Sequence, residues 1–232
     1  MRRIHAWLAA ACALVVLATA APAQAQQSIN VFVGGFTPRS EGTRTTSDVI
    51  YQNGGFLAFD MRDFDGATAG IEWLTAVSDN FDAGFGVGIY SRGVPSVYAG
   101  LVNANRSEIK QQMDLRIAPF TATFRWLPLG HHDAIEPYIG AGVAVYSWRY
   151  SEQGQFVDPK DNSLFSGTYR GSGTATGPVV LAGLRVPVGS VGVGGEVRYQ
   201  AGEGVLPTDQ GFAGSKIDLG GVSYLLSFNV RF

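Results

Sequence analysis

Eight stretches of this chain alternate apolar residues with small, polar or charged ones at a period of two, and the connections between them are by turns short and long. That period belongs to β-strands lying between unlike environments. The stretches are 29–36, 67–77, 81–92, 113–127, 135–148, 177–188, 191–200 and 219–232. Brief turns (SDN, PLGHHDA and GS) follow the second, fourth and sixth, whereas long polar segments follow the first, third, fifth and seventh. Every tight turn then falls at one end of an up-and-down meander and every long loop at the other. The expected fold is all-β: a closed antiparallel transmembrane β-barrel, of eight strands on this count, with the first strand paired to the last. Closure is required because an open edge in hydrocarbon leaves backbone groups unpaired at several kcal/mol each. The long loops have room for ten strands.

Which way the apolar face points separates a membrane barrel from a soluble, lipocalin-like one. Apolar parity collects Ile71, Trp73 and Val77; Phe81, Phe85, Val87 and Ile89; Phe120, Phe124 and Trp126; Val180, Leu184 and Val186; and Val193, Val197 and Tyr199. The last strand adds Tyr224, Leu226, Phe228, Val230 and Phe232. Opposite parity carries Glu72, Asp82, Arg125, Arg185, Glu196, Arg198 and Arg231, interleaved with glycine and Tyr90. Glycine makes up 31 of 232 residues, nearly twice the usual share of about 7%. Glycine beside large residues is odd for a solvated surface but suits the interior of a narrow barrel, which side chains just fill. Three acids facing four arginines in that interior read as a salt-bridged plug across the lumen. The competing reading makes the same charges a solvated outer face. Against it stand aromatics near strand ends: Phe81, Phe124, Trp126 and Phe232 toward the short turns, and Tyr199 toward the loops, as in interfacial girdles. In the fifth strand Tyr138, Tyr146 and Trp148 share the parity of Gly140 and Gly142, which suggests a bulge.

The first 25 residues have a basic start at Arg2 and Arg3, an apolar run from Ala6 to Ala21, and Ala23-Gln24-Ala25 as an A-x-A cleavage site. This pattern reads as a secretory signal peptide over 1–25, ahead of a barrel domain over 26–232. The apolar run is shorter than the roughly 20 residues of a membrane-spanning helix. Cys12 lies inside it, so the mature chain has no thiol for a disulfide or a thiolate metal site. Removing Arg2 and Arg3 from the 17 basic residues leaves 15 against 19 acidic, a net charge of −4 with no basic block. Nucleic acid is therefore not an expected partner.

"IEPYIGAGVAVYSW", with its P-Y-x-G-x-G core at Pro137 to Gly142, and a C-terminal strand ending in Phe232 resemble the small outer-membrane β-barrel family that includes outer membrane proteins A, X and W. "IAPFTATFRW" followed by "EPYIGAGVAVY" is similar to the corresponding hairpin of the W type. The resemblance implies that Tyr224, Leu226, Phe228, Val230 and Phe232 form a targeting signal read by the barrel-assembly machinery. It also implies a porin-like, Gram-negative outer-membrane location among outer-membrane lipid and lipopolysaccharide, and a monomer is expected.

Some barrels of this size are lipid A acyltransferases or deacylases, whose resemblance would imply a histidine with serine or an acid at the outer face. Here the mature histidines are His131 and His132, both in the LGHHDA turn, which reads as a solvated turn. DPKDNS, from Asp158 to Ser163, lacks the spacing of a calcium loop. GSGTATG and GVGGEV lack the strand-to-helix context of dinucleotide binding. No catalytic, metal or cofactor-binding residues are expected, and the chain does not read as an enzyme. Two functional classes remain. One is a packed barrel presenting long outer loops (37–66, 93–112, 149–176 and 201–218) for adhesion, recognition or envelope stability. The other, implied by the W-type resemblance, is a narrow channel for small, hydrophobic molecules.

Overall fold

The computed structural model describes residues 27–131, 133–158 and 160–232. The signal-peptide reading, with Ala23 and Ala25, and the reading of His132 fall outside them. Eight antiparallel strands form the ring: β1 (Gln27–Pro38), β2 (Gly66–Ser78), β3 (Phe81–Val102), β4 (Glu108–Trp126), β5 (Glu136–Val157), β6 (Leu164–Val188), β7 (Val191–Gln200) and β8 (Gly221–Arg231). Each pairs with its neighbours in sequence, and β1 pairs with β8 from Ser28 opposite Arg231 to Pro38 opposite Gly221. At the seam Gln27 N donates to Phe232 O at 3.2 Å and Phe232 N to Gln27 O at 2.9 Å. No sheet edge in the ring is left for hydrocarbon to meet. The count is eight.

The tight turns lie at one end as expected; Gly189, at φ +64°, takes the left-handed conformation that the two-residue GS turn needs. The other end differs from the loop reading. Segments 93–112 and 149–176 are continuations of the β3–β4 and β5–β6 ladders, the latter paired from Glu136 opposite Arg185 out to Val157 opposite Leu164. Alternation continues there, with Val94, Ile109, Tyr150 and Phe156 buried on the inward parity, and a ladder can go on beyond the membrane wherever both strands have partners. Nor is there a bulge in β5, whose registers with β4 and β6 are unbroken. Tyr138, Tyr146 and Trp148 are interior residues, and Gly140 shares their face where a Cβ would lie 3.0 Å from Leu181 Cδ1 and 3.1 Å from Arg125 Cγ. Register shifts occur instead at Ala76/Ser78, between β2 and β3, and at Val97/Val102, between β3 and β4.

The first loop turns inward over the barrel mouth. Asp48 starts the short helix α1 (Val49–Asn53) by accepting from Tyr51 N, while its carboxylate also holds Arg44 at 3.0 Å and Asp218 N at 2.6 Å. Asp48 thereby ties α1 to the last loop, in which Glu203–Val205 pairs with Lys216–Asp218 as a small hairpin. Val49, Ile50, Ile217 and Leu219 from these inserts are buried against Met113, Leu115, Ile117, Tyr146 and Trp148 of the strands. An apolar core thus occupies the loop-side part of the barrel.

Candidate functional site: a lumen packed in two tiers

The seven charged residues expected inside are all there. In the middle of the lumen Arg125 lies 2.5 Å from Glu72 and 3.0 Å from Glu196, and Arg198 lies 2.7 Å from Glu196 and 3.6 Å from Glu72. Tyr138 donates to Glu196 at 3.0 Å, and the Arg125 guanidinium sits 4.7 Å from the centre of the Tyr138 ring. Thr123 donates to Glu72 at 3.3 Å. Closer to the short turns, Arg185 joins Asp82 at 3.4 Å to Glu136 at 2.7 Å, and Arg231 lies 2.6 Å from Glu136. Arg231 thus has the acidic partner its parity called for. Glycine opposite these groups is a space requirement: a Cβ on Gly183 would lie 2.5 Å from the Tyr138 hydroxyl, and one on Gly84 would lie 2.7 Å from Thr123 Oγ1 and 3.0 Å from Glu72 Oε1.

Two members of the network went unread in the sequence. Glu136 is fully buried and holds both Arg185 and Arg231. It opens β5 beside Pro137, and its parity with Tyr138, Gly140 and Gly142 was the available signal. His131 is not a solvated turn residue: its Nε2 lies 3.0 Å from Asp82 Oδ1 with the side chain 10% exposed. With Glu136 included, four carboxylates (Glu72, Asp82, Glu136, Glu196) face four guanidinium groups (Arg125, Arg185, Arg198, Arg231). Such balance is what burial demands, because an unpaired ion in a low dielectric costs several kcal/mol.

Above the charges lies the apolar core. At the junction of the two tiers, between Phe32, Tyr90, Arg198 and Gln200, a cavity of about 20 Å³ remains. It has room for about one water.

The outward parity is as exposed as the inward one is buried. Ile71, Trp73, Phe85, Val87, Phe120, Phe124, Leu184 and Val193 face out, as do Tyr224, Leu226, Phe228, Val230 and Phe232 of β8. Apolar side chains outside a ring whose interior is ionic form the arrangement of a barrel dissolved in hydrocarbon. Toward the loops, exposed Arg116 of β4 stands directly opposite Arg149 of β5, and Tyr199 accepts from Arg39, which also pairs with Asp218 at 3.3 Å.

No protein-family model matches this chain, and no curated protein does. Solved structures do. The outer membrane protein OprG from Pseudomonas aeruginosa is 15% identical with a TM-score of 0.54, covering 90% of this chain and 96% of its own. This chain has the fold of the small outer-membrane β-barrels. Neisserial surface protein A is 12% identical with a TM-score of 0.51, over 89% of this chain and 97% of its own. A major outer membrane protein from Thermus thermophilus is 13% identical with a TM-score of 0.50, over 90% of this chain and 100% of its own. At such identities the shared property is the barrel, and what the lumen and loop end do must be argued from this chain's own residues.

Proposed function

We propose that this chain is a non-enzymatic integral protein of the bacterial outer membrane, whose plugged barrel is a rigid platform for a loop-side surface used in recognition, adhesion or envelope stability. The observation that carries this reading is the lumen, filled by a balanced ionic network in one tier and by an apolar core in the other. Ions have no continuous polar path through such a filling. The ladders that continue beyond the apolar band support the second half of the reading. A paired hairpin holds its tip in place, as a flexible loop does not.

The alternative, a narrow channel for small hydrophobic molecules, draws support from a cavity of about 560 Å³ at the loop end. That cavity stops at Asn53, Gln111 and Glu152, and buried Met113 and Tyr150 belong to the core beneath. A dead end favours binding over passage. Single-channel recording of the purified protein in planar bilayers tests the choice. The plug predicts no stable conductance; steady conductance that grows when Glu72 or Arg185 is truncated would refute it.

Other parts of the reading follow from the outer surface. The outward row Tyr224, Leu226, Phe228, Val230 and Phe232 is proposed as the signal for the barrel-assembly machinery. Arg116 and Arg149, like charges directly opposed, gain from an anion between them, and the phosphates of lipopolysaccharide or other outer-leaflet lipid are suited to that place. The barrel is proposed to act as a monomer, since its ring closes on itself.

A further inference from the structure

The loop-end cavity has a floor and walls of different chemistry. Glu152 of β5 lies in the floor, 4% exposed, with Asn53 Nδ2 donating to its Oε1 at 2.6 Å and the Tyr150 hydroxyl at 2.9 Å. Among the described residues no arginine, lysine or histidine lies within ion-pair distance of Glu152, and its Oε2 receives no hydrogen bond. Every other buried acid among the described residues has a cation. Glu72, Asp82, Glu136 and Glu196 have arginines in the lumen, and Asp48 has Arg44. Asn53 and Gln111, the floor's other polar residues, each leave the side-chain carbonyl oxygen without a donor. The floor therefore has acceptors in excess. A buried carboxylate without a counter-ion is costly.

Aromatic rings make the walls. Phe156 stacks on Phe165 at 5.7 Å between centroids and meets Tyr169 edge-on at 4.5 Å, while Phe56 and Tyr98 are 5.7 Å apart on another side. Phe56, Leu101 and Phe165 are exposed and Phe156 is buried, so the cavity runs from an apolar mouth to the acidic floor. Aromatic faces attract cations as well as apolar bodies. At about 560 Å³ the space lies within the range of small-molecule pockets.

We propose that this cavity is a binding site for an organic ammonium ion with an aromatic or similarly flat apolar body, its nitrogen directed to Glu152 and its body held among Phe56, Tyr98, Phe156 and Tyr169. A cation supplies what the floor lacks: a counter-ion for the carboxylate and N–H donors for its idle acceptors. Anions of the same shape are repelled, and an apolar molecule without a donor leaves the floor unsatisfied. The site deepens the recognition reading of the loop end and does not depend on the plug, so a conducting barrel would overturn the plug and leave this site standing.

Isothermal titration of the full barrel in lipid nanodiscs, with empty nanodiscs as reference, tests the site using tryptamine and its carboxylate counterpart indole-3-propionate. Tryptamine is expected to bind with one-to-one stoichiometry and indole-3-propionate at least tenfold more weakly. Glu152→Gln keeps a side chain able to accept from Asn53 and Tyr150 while removing the charge, and should weaken tryptamine at least tenfold, with folding checked by heat-modifiable gel migration. If that variant does not fold, Gln111→Leu, which deletes an idle acceptor, serves instead and should weaken tryptamine at least threefold. Absence of tryptamine binding, equal binding of the two indoles, or undiminished binding by the folded variant would each overturn the proposal.

Discussion

Glu136→Gln is the sharpest test of how the lumen is held together. Glu136 is fully buried and accepts from Arg185 Nε at 2.7 Å and Arg231 Nη2 at 2.6 Å. Neutralising it leaves four guanidinium groups against three carboxylates. Arg185 keeps Asp82, though at 3.4 Å, while Arg231 loses the acid it pairs with. Removing one partner of a buried ion pair costs about 3–5 kcal/mol, because the other charge stays behind uncompensated. Arg231 lies near the short-turn end with 9% of its side chain exposed, so water offsets part of that cost. The expected loss is near the lower bound, about 3 kcal/mol. Reversible denaturant unfolding in lipid vesicles measures it, with outward-facing Trp73 and Trp126 as reporters of transfer from lipid to water. Glu136→Gln combined with Arg231→Met removes one charge of each sign and should recover at least about half of the loss. A single variant within about 0.5 kcal/mol of the parent, or a double variant no more stable than the single, would refute the balanced-network argument.

Further outcomes follow from other parts of the molecule. Leu226→Arg, at the middle of β8 and 71% exposed, should cost about 2–4 kcal/mol in the same vesicle unfolding assay, whereas a water-facing position would tolerate it. Gly142→Ala puts a Cβ 2.0 Å from the Ala122 carbonyl oxygen and should cost about 1–3 kcal/mol in the same assay, while Gly35→Ala, with open space around it, should change stability by less than about 1 kcal/mol. Glu152 has its carboxyl pushed above the ordinary value of 4.5, chiefly by burial and against the hydrogen bonds of Asn53 and Tyr150. A raised folded value means that the native cap holds the proton more tightly than the unfolded chain. Its contribution is complete below the ordinary value and is lost as pH rises through the folded one. Amide exchange in α1 should accordingly quicken as pH rises through that window, beyond the intrinsic rate increase, and Glu152→Gln should remove the excess.

Legibility in the sequence followed the range of the physics. Alternation is set by the backbone, so one residue's neighbours suffice to say that Phe85 faces out and Asp82 in. That reasoning reached the strand count, the short-turn end, the outward row of β8 and seven charges of the lumen. Alternation alone is ambiguous in β5, where glycine on the parity of Tyr138 suggests a break in the pattern. Glycine there is the pattern, because a Cβ on Gly140 would press on Leu181 and Arg125 in the filled lumen, 3.0 and 3.1 Å away.

Contacts between distant segments were beyond local reading. Arg125 meets Glu72 and Glu196 only because closure and strand tilt bring β2, β4 and β7 to one level of a narrow cylinder. Glu136 has no mark as a hub until β6 and β8 bring Arg185 and Arg231 to it. The same holds at the loop end, where polar segments that read as loops supply Val49, Ile50 and Ile217 to an apolar core. There too Glu152 differs from the other buried acids only in what surrounds it. Period and parity are properties of a chain with its solvent on either side, and the sequence alone could state them. Which charge is answered and which is left for a ligand depends on three-dimensional distance, and only the closed barrel decides it.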